Sequence, residues 1–140
     1  MLIDEFKKAN IEALKAKDTI ARGVLSVVMN KYKLQEVELK AAGKEIGDKE
    51  MLAIIQKTLK ELADEKEGYI KVGNAERADN IAKQEAILSS YLPKQLSEDE
   101  IRAIINSLED KSVPSVMKHF KMNYAGQVDM SLVNSVLRSL

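Results

Sequence analysis

Tyr91-Leu92-Pro93, followed at once by Lys94-Gln95-Leu96-Ser97-Glu98-Asp99-Glu100, is the stretch on which the architecture turns. Proline carries no backbone N–H and disfavours helix at the residue before it, so the helix running into Tyr91 is expected to end within 91–93. Ser97 and Glu100 are spaced as a capping box: the serine oxygen accepts from the Glu100 amide, and the Glu100 carboxylate accepts from the Ser97 amide. Acids in that first turn also suit the positive end of a helix dipole. One helix stops and another starts here, which divides the chain into an N-terminal domain over 1–93 and a tail over 94–140.

On the N-terminal side, Leu2, Phe6, Ala9 and Ala13 recur at helical spacing, so residues 2–16 read as an amphipathic helix. Asp18 is placed to cap the next one, whose apolar face runs through Ile20, Val24, Leu25, Val28 and Tyr32 to about Leu39. Ala41-Ala42-Gly43 and Ile46-Gly47 break the pattern into a loop. Asp48 is expected to cap a third helix lined by Met51, Leu52, Ile55, Leu59 and Leu62 and extended by Tyr69 and Ile70. Gly73-Asn74 gives a stop and a new cap. Ala78, Ile81, Glu85, Leu88 and Leu92 then define a fourth helix, with Ile81 and Leu88 as its core and an antiparallel hairpin as its connection.

In the tail, Ile101, Ile104, Ile105 and Leu108 make a short helix ending near Asp110. Ser112-Val113-Pro114 restarts the chain into a helix carrying Val116, Met117 and Phe120, and Asp129 caps a last helix with Leu132, Val133, Val136, Leu137 and Leu140 on one side. The fold class is therefore all-α: an N-terminal domain of about four helices and a three-helix tail. A tail this short lies near the lower limit for independent folding and is expected to lean on the first lobe or on a partner. Strand alternation, internal repeats and a sustained run of apolar heptads are all missing.

Composition narrows the function. The 140 residues are 31% charged and only 4% aromatic, as exposed helices around aliphatic cores require. The chain has no cysteine, which excludes disulfides, thiolate nucleophiles and Cys-based metal sites. The first ten residues, rich in acids and lysines, lack the apolar run of a signal peptide, and no segment reaches the roughly 18 apolar residues of a membrane span. A cytoplasmic protein is expected. Lys plus Arg equals Asp plus Glu at 22 each, so the whole chain lacks the footprint of a strong nucleic-acid binder. Charge is unevenly spread, however. Lys7, Lys8, Lys15, Lys17, Arg22, Lys31 and Lys33 face only Glu12 and Asp18 over that stretch, and Lys118, Lys121 and Arg138 face only Asp129.

No catalytic constellation emerges. His119 is the only histidine, so no two-histidine metal site forms within one chain, and neither a serine elbow nor a Gly-rich phosphate loop is present. Glu85, at the edge of an apolar stripe, reads as a paired surface acid. No cofactor is expected. The remaining candidate is a phosphate-gripping surface in the tail: Lys118 and Lys121 one turn apart, Tyr124 for stacking, Gly126 and Gln127 in a turn with exposed amides, and Arg138 beyond. The competing structural reading is that Gly126 only makes the turn and Asp129 only caps the last helix.

The stretch from Tyr91 to Glu100, the Glu85 helix before it, Val116-Met117-Lys118, Gly126 with Asp129, and Leu132-Val133-Asn134 through Leu140 together resemble the YqeY family, related to the carboxy-terminal region of the GatB subunit of tRNA-dependent amidotransferases. The resemblance covers nearly the whole chain. It implies an all-helical fold, a tail similar to the one with which the amidotransferase contacts tRNA, and a formal tie to carbon-nitrogen ligation with glutamine as amido-N donor. Where the family carries a basic turn with two glycines, this chain has Ala125-Gly126-Gln127-Val128-Asp129-Met130. Losing two positive charges there weakens phosphate contact and its salt dependence. Amidase and kinase chemistry lies outside the resembling segment.

Three readings follow. The first is a non-catalytic module that binds tRNA or a tRNA-handling enzyme through the tail and the basic face of the first lobe, with Tyr91, Leu92 and Pro93 as a hinge. The second is a helical protein–protein interaction module without nucleic-acid binding, for which Met117, Met122 and Met130 supply an adaptable surface. The third is an accessory of a glutamine-dependent tRNA amidotransferase.

Overall fold

The computed structural model describes all residues from Met1 to Leu140. It is all-α, with seven helices and no strand: α1 (Leu2–Lys15), α2 (Thr19–Ala41), α3 (Asp48–Lys71), α4 (Ala75–Ser89), α5 (Glu98–Ser107), α6 (Val113–Asn123) and α7 (Met130–Arg138). The chain divides into two compact units, Met1–Tyr91 and Leu92–Leu140.

In the first unit α1 packs on α2, α3 packs on α4, and α2 also meets α3 and α4. The short links, with a positive φ at Lys17 and at Gly73, turn each pair back on itself. Phe6, Leu25, Met51, Ile55 and Leu88 are its largest fully buried side chains. Most of the expected faces are buried, Phe6 and Ala13 in α1 and Val24, Leu25, Val28 and Tyr32 in α2, but Ile3 and Ala21 join the core while Leu2, Ala9 and Ile20 stand at its edge. The buried arc of α2 is centred between Val24, Val28 and Tyr32, and a step of about 100° per residue carries Ile20 to the rim. Ile70, expected to prolong the α3 face, is 60% exposed, because at 3.6 residues per turn it lies about 100° round the helix from the buried line of Met51, Ile55, Thr58 and Leu62.

Caps explain most boundaries. The Asp18 carboxylate accepts from the Ala21 amide and the Asn74 side chain from the Arg77 amide. Asp48 is a correction. It is the first residue of α3 rather than its cap, and its carboxylate accepts from the Leu2 amide at 2.9 Å, so it caps α1 instead. The α3 start is served by Glu50, which accepts from the Gly47 amide. Helix α4 stops at Ser89, slightly before the expected boundary. The Ser90 hydroxyl donates to the Ile87 carbonyl, the Tyr91 amide donates to the Leu88 carbonyl, and the Tyr91 ring lies 4.3 Å from the ring of Phe6. Burial there pushes the Tyr91 phenol above its ordinary pKa, with Glu5 and Glu12 adding to the shift.

The second unit holds α5, α6 and α7 around Ile101, Ile105, Val116, Phe120, Val128, Val133 and Val136. The Ser97–Glu100 capping box forms in both directions at 3.2 Å. Helix α5 ends at Ser107 instead of near Asp110, because Leu108 turns to extended backbone and the Ser107 hydroxyl donates back to Ile104. Asp110 is used for the next start: it accepts from the Ser112 amide at 2.9 Å and from the Ser115 hydroxyl at 2.7 Å. Asp129 caps α7 through the Ser131 amide.

Phe120 is fully buried at the centre of this small core. Phe120→Ala should cost about 3–5 kcal/mol, comparable with the whole stability of a unit this size at roughly 0.05–0.15 kcal/mol per residue. Methyl NMR of the variant should show loss of dispersed signals from α5–α7 at room temperature.

Candidate nucleic-acid interface

Helix α6 positions the lysines. Val116 and Phe120 face the core on one side, so Lys118 and Lys121, which are three residues apart, project together from the other and are both exposed. Neither makes an ion pair within the chain. His119 and Asn123 lie beside them: the Asn123 amide donates to the His119 carbonyl at 3.0 Å and sits 3.3 Å from the His119 Nδ1. Arg138 is exposed in the last turn of α7. It stands about 12 Å along that helix from its start next to the turn, so it forms a separate point of charge.

The turn between α6 and α7 differs from the expectation of exposed amides. Gly126 adopts φ 76° and is buried. Its carbonyl accepts from the Gln95 side chain at 2.7 Å, and the same Gln95 amide donates to the Pro93 carbonyl at 2.9 Å. The Leu96 amide donates to the Gln127 carbonyl at 2.7 Å, and the Gln127 amide donates to the Tyr124 carbonyl. The Gly126 and Gln127 carbonyls and the Gln127 amide are therefore spent on closing the tail, and Gln127 as a whole is half-buried. Tyr124 is half-buried, with its ring 5.6 Å from Phe120 and 6.0 Å from His119. It packs against the core cluster and keeps part of its surface accessible.

In the first unit the basic stretch is partly consumed. The Lys31 ammonium donates to the Thr58 hydroxyl at 3.0 Å and to Glu61 at 2.8 Å, tying α2 to α3. That hydrogen bond, reinforced by the Lys31 charge, holds the Glu61 carboxyl below its ordinary value. Thr58, a buried hydroxyl, donates in turn to the Ile54 carbonyl. Lys7, Lys8, Lys15, Lys17, Arg22 and Lys33 remain exposed, and Arg22, Lys33 and Lys40 share one side of α2 by helical geometry. Glu85 is paired with Lys66 at 2.6 Å across α3 and α4, as its place at the stripe edge implies. No group of three or more His, Asp or Glu side chains is arranged to hold a metal, and no helix is long and apolar enough to cross a membrane.

Gln95 is the residue that pattern reading overlooks. It lies next to the proline and has no helical or capping signature; its partner is 31 positions away. Only the three-dimensional fold reveals it.

A family model described as Yqey-like protein matches residues 3–140. No curated protein matches the chain.

Two outcomes follow from this geometry. Gln95→Ala and Gly126→Ala should each lower tail stability by about 1–2 kcal/mol, the first by leaving a buried carbonyl without its donor and the second by forcing a side chain into left-handed backbone; chemical denaturation followed by tail NMR signals measures both. The Ser112 amide, then the Ser115 hydroxyl, hold the Asp110 carboxyl below its ordinary 3.8. A depressed folded pKa gives stability that is present above the unfolded value and lost as pH falls through the folded one. Tail stability should therefore drop below about pH 4, and Asp110→Asn should lower it at neutral pH while flattening that acid limb.

Proposed function

The chain belongs to the YqeY family, and from that premise we propose that it is a non-catalytic, tRNA-associated binding module. Family membership supports a helical domain related to the tail of the amidotransferase B subunit. The carrying observation is the exposed Lys118–Lys121 pair on α6, without ion-pair partners and mounted on a helix fixed by Val116 and Phe120. Two ammonium groups one turn apart match successive phosphates of a nucleic-acid backbone, where charge supplies affinity rather than sequence choice. Gln127, the accessible part of Tyr124 and Arg138 extend the contact, and Gly126 shapes the turn that presents them. The exposed bases of α1 and α2 provide a second, sequence-independent attraction.

In this reading the working division is a four-helix N-terminal domain over 1–93 and a three-helix tail over 94–140. Tyr91 is anchored on Phe6 and Gln95 on Gly126, so Leu92 and Pro93 carry the hinge. The protein acts in the cytoplasm, where tRNA is, and contributes to carbon-nitrogen ligation with glutamine only as an accessory of an amidotransferase. The protein–protein alternative is less favoured by the tail: Met117 and Met130 pack against its core, leaving Met122 alone exposed, at 68%.

Fluorescent total tRNA titrated at low and physiological salt tests the proposal. Saturable binding that weakens with salt is expected, and the double substitution Lys118→Ala/Lys121→Ala should weaken it and reduce the log–log salt slope by about 2. Absence of binding even at low salt would overturn direct recognition.

A further inference from the structure

Helix α2 is apolar on two opposite sides. One side is the core face of Val24, Val28 and Tyr32. The other runs through Gly23, Val27, Asn30, Leu34, Val37 and Ala41, at alternating steps of four and three residues, and it faces solvent: Val27 is 46%, Leu34 68% and Val37 67% exposed. Alternation of three and four is the period of a two-helix seam. Gly23 and Asn30 interrupt its apolar character, so the chain shows no long run of apolar heptads. Isolated exposed apolar residues are ordinary on a protein surface, but three on one line of one helix form a patch.

The flanks of this line specify its partner. Lys33 lies on one side and Glu38 on the other; both are exposed and neither makes an ion pair within the chain. When two identical helices pair parallel and in register, a residue on the Lys33 flank of one faces the Glu38 flank of its mate one heptad on, so the two charges meet twice by symmetry. Antiparallel pairing instead brings the flank holding Lys33 and Lys40 against itself. In-register pairing also sets the two Asn30 amides opposite each other, where each supplies a donor and an acceptor.

We propose that the outward face of α2 is a self-association surface, on which a second copy of this chain seats its own α2 parallel and in register through Val27, Leu34 and Val37. The strip from Gly23 to Ala41 is about 27 Å long and about 10 Å wide, far short of the roughly 800 Å² per partner of a stable complex. The dimer is therefore weak and reversible.

Sedimentation equilibrium of the full chain without nucleic acid, from low micromolar to millimolar concentration, reads the association. A monomer–dimer equilibrium is expected. Leu34→Glu should weaken it at least tenfold with an unchanged helical circular dichroism spectrum, since that side chain is not part of the core. Lys33→Glu and Glu38→Lys should each weaken it, and the double substitution should restore it. Because the chain has no cysteine, Val37→Cys should oxidise to a covalent dimer, while Val72→Cys, at a 76% exposed apolar position elsewhere, should not. A wild-type chain that stays monomeric throughout, or a Leu34→Glu variant that associates like wild type, would overturn the proposal. Dimerisation without Val37→Cys cross-linking would overturn the parallel register.

Discussion

The tail depends on a pair of hydrogen bonds between the segment after Pro93 and the turn after α6. Gln95 donates to the Gly126 carbonyl and the Leu96 amide donates to the Gln127 carbonyl, both at 2.7 Å. Helices α5, α6 and α7 are only 10, 11 and 9 residues long, too short to be stable alone. Their order comes from packing on Phe120 and its neighbours, and that packing requires the incoming chain and the distant turn to be held together. Left-handed backbone at Gly126 makes the turn tight enough to offer both carbonyls in the right direction.

This clamp also decides what the surface can do. Because Gly126 is buried and the Gln127 amide is taken by the Tyr124 carbonyl, the proposed recognition by the turn relies on side chains more than on a cradle of backbone amides. Lys118 and Lys121 carry the proposed contact for the same reason, being charges held on the solvent side of a packed helix. The first unit shows the complementary economy. Lys31 and Glu85 are bound into links between helices, through Thr58 and Glu61 in one case and Lys66 in the other, so only part of its basic sequence is free to meet a ligand.

Local signals in the sequence were sufficient where the interaction is itself local. Asp18, Asn74, Ser97 with Glu100, and Asp129 each cap a helix within three residues, and spacing reveals them. The same logic misassigned Asp48, because a carboxylate at a helix start also reaches any other free amide nearby, and Leu2 is 46 positions distant in sequence. Core faces were legible to within one residue, since a helical stripe has a width and only packing fixes its centre. For the candidate site, the exposed lysines of α6 could be read from the position of Val116 and Phe120. Burial of Gly126 and the role of Gln95 could not, because each depends on contacts between segments far apart in the chain. The outer stripe of α2 was hidden for a different reason: on a helix with two apolar sides, the second emerges only after the first has been assigned to the core.

The most direct test of the clamp is hydrogen exchange at the Leu96 amide in the full-length protein. That amide lies outside any helix, so its protection reports almost solely on its bond to Gln127. Protection comparable to that of the Tyr124 amide, which donates to the Phe120 carbonyl within the tail core, is the predicted result. Exchange at the rate of an unstructured linker would contradict the account.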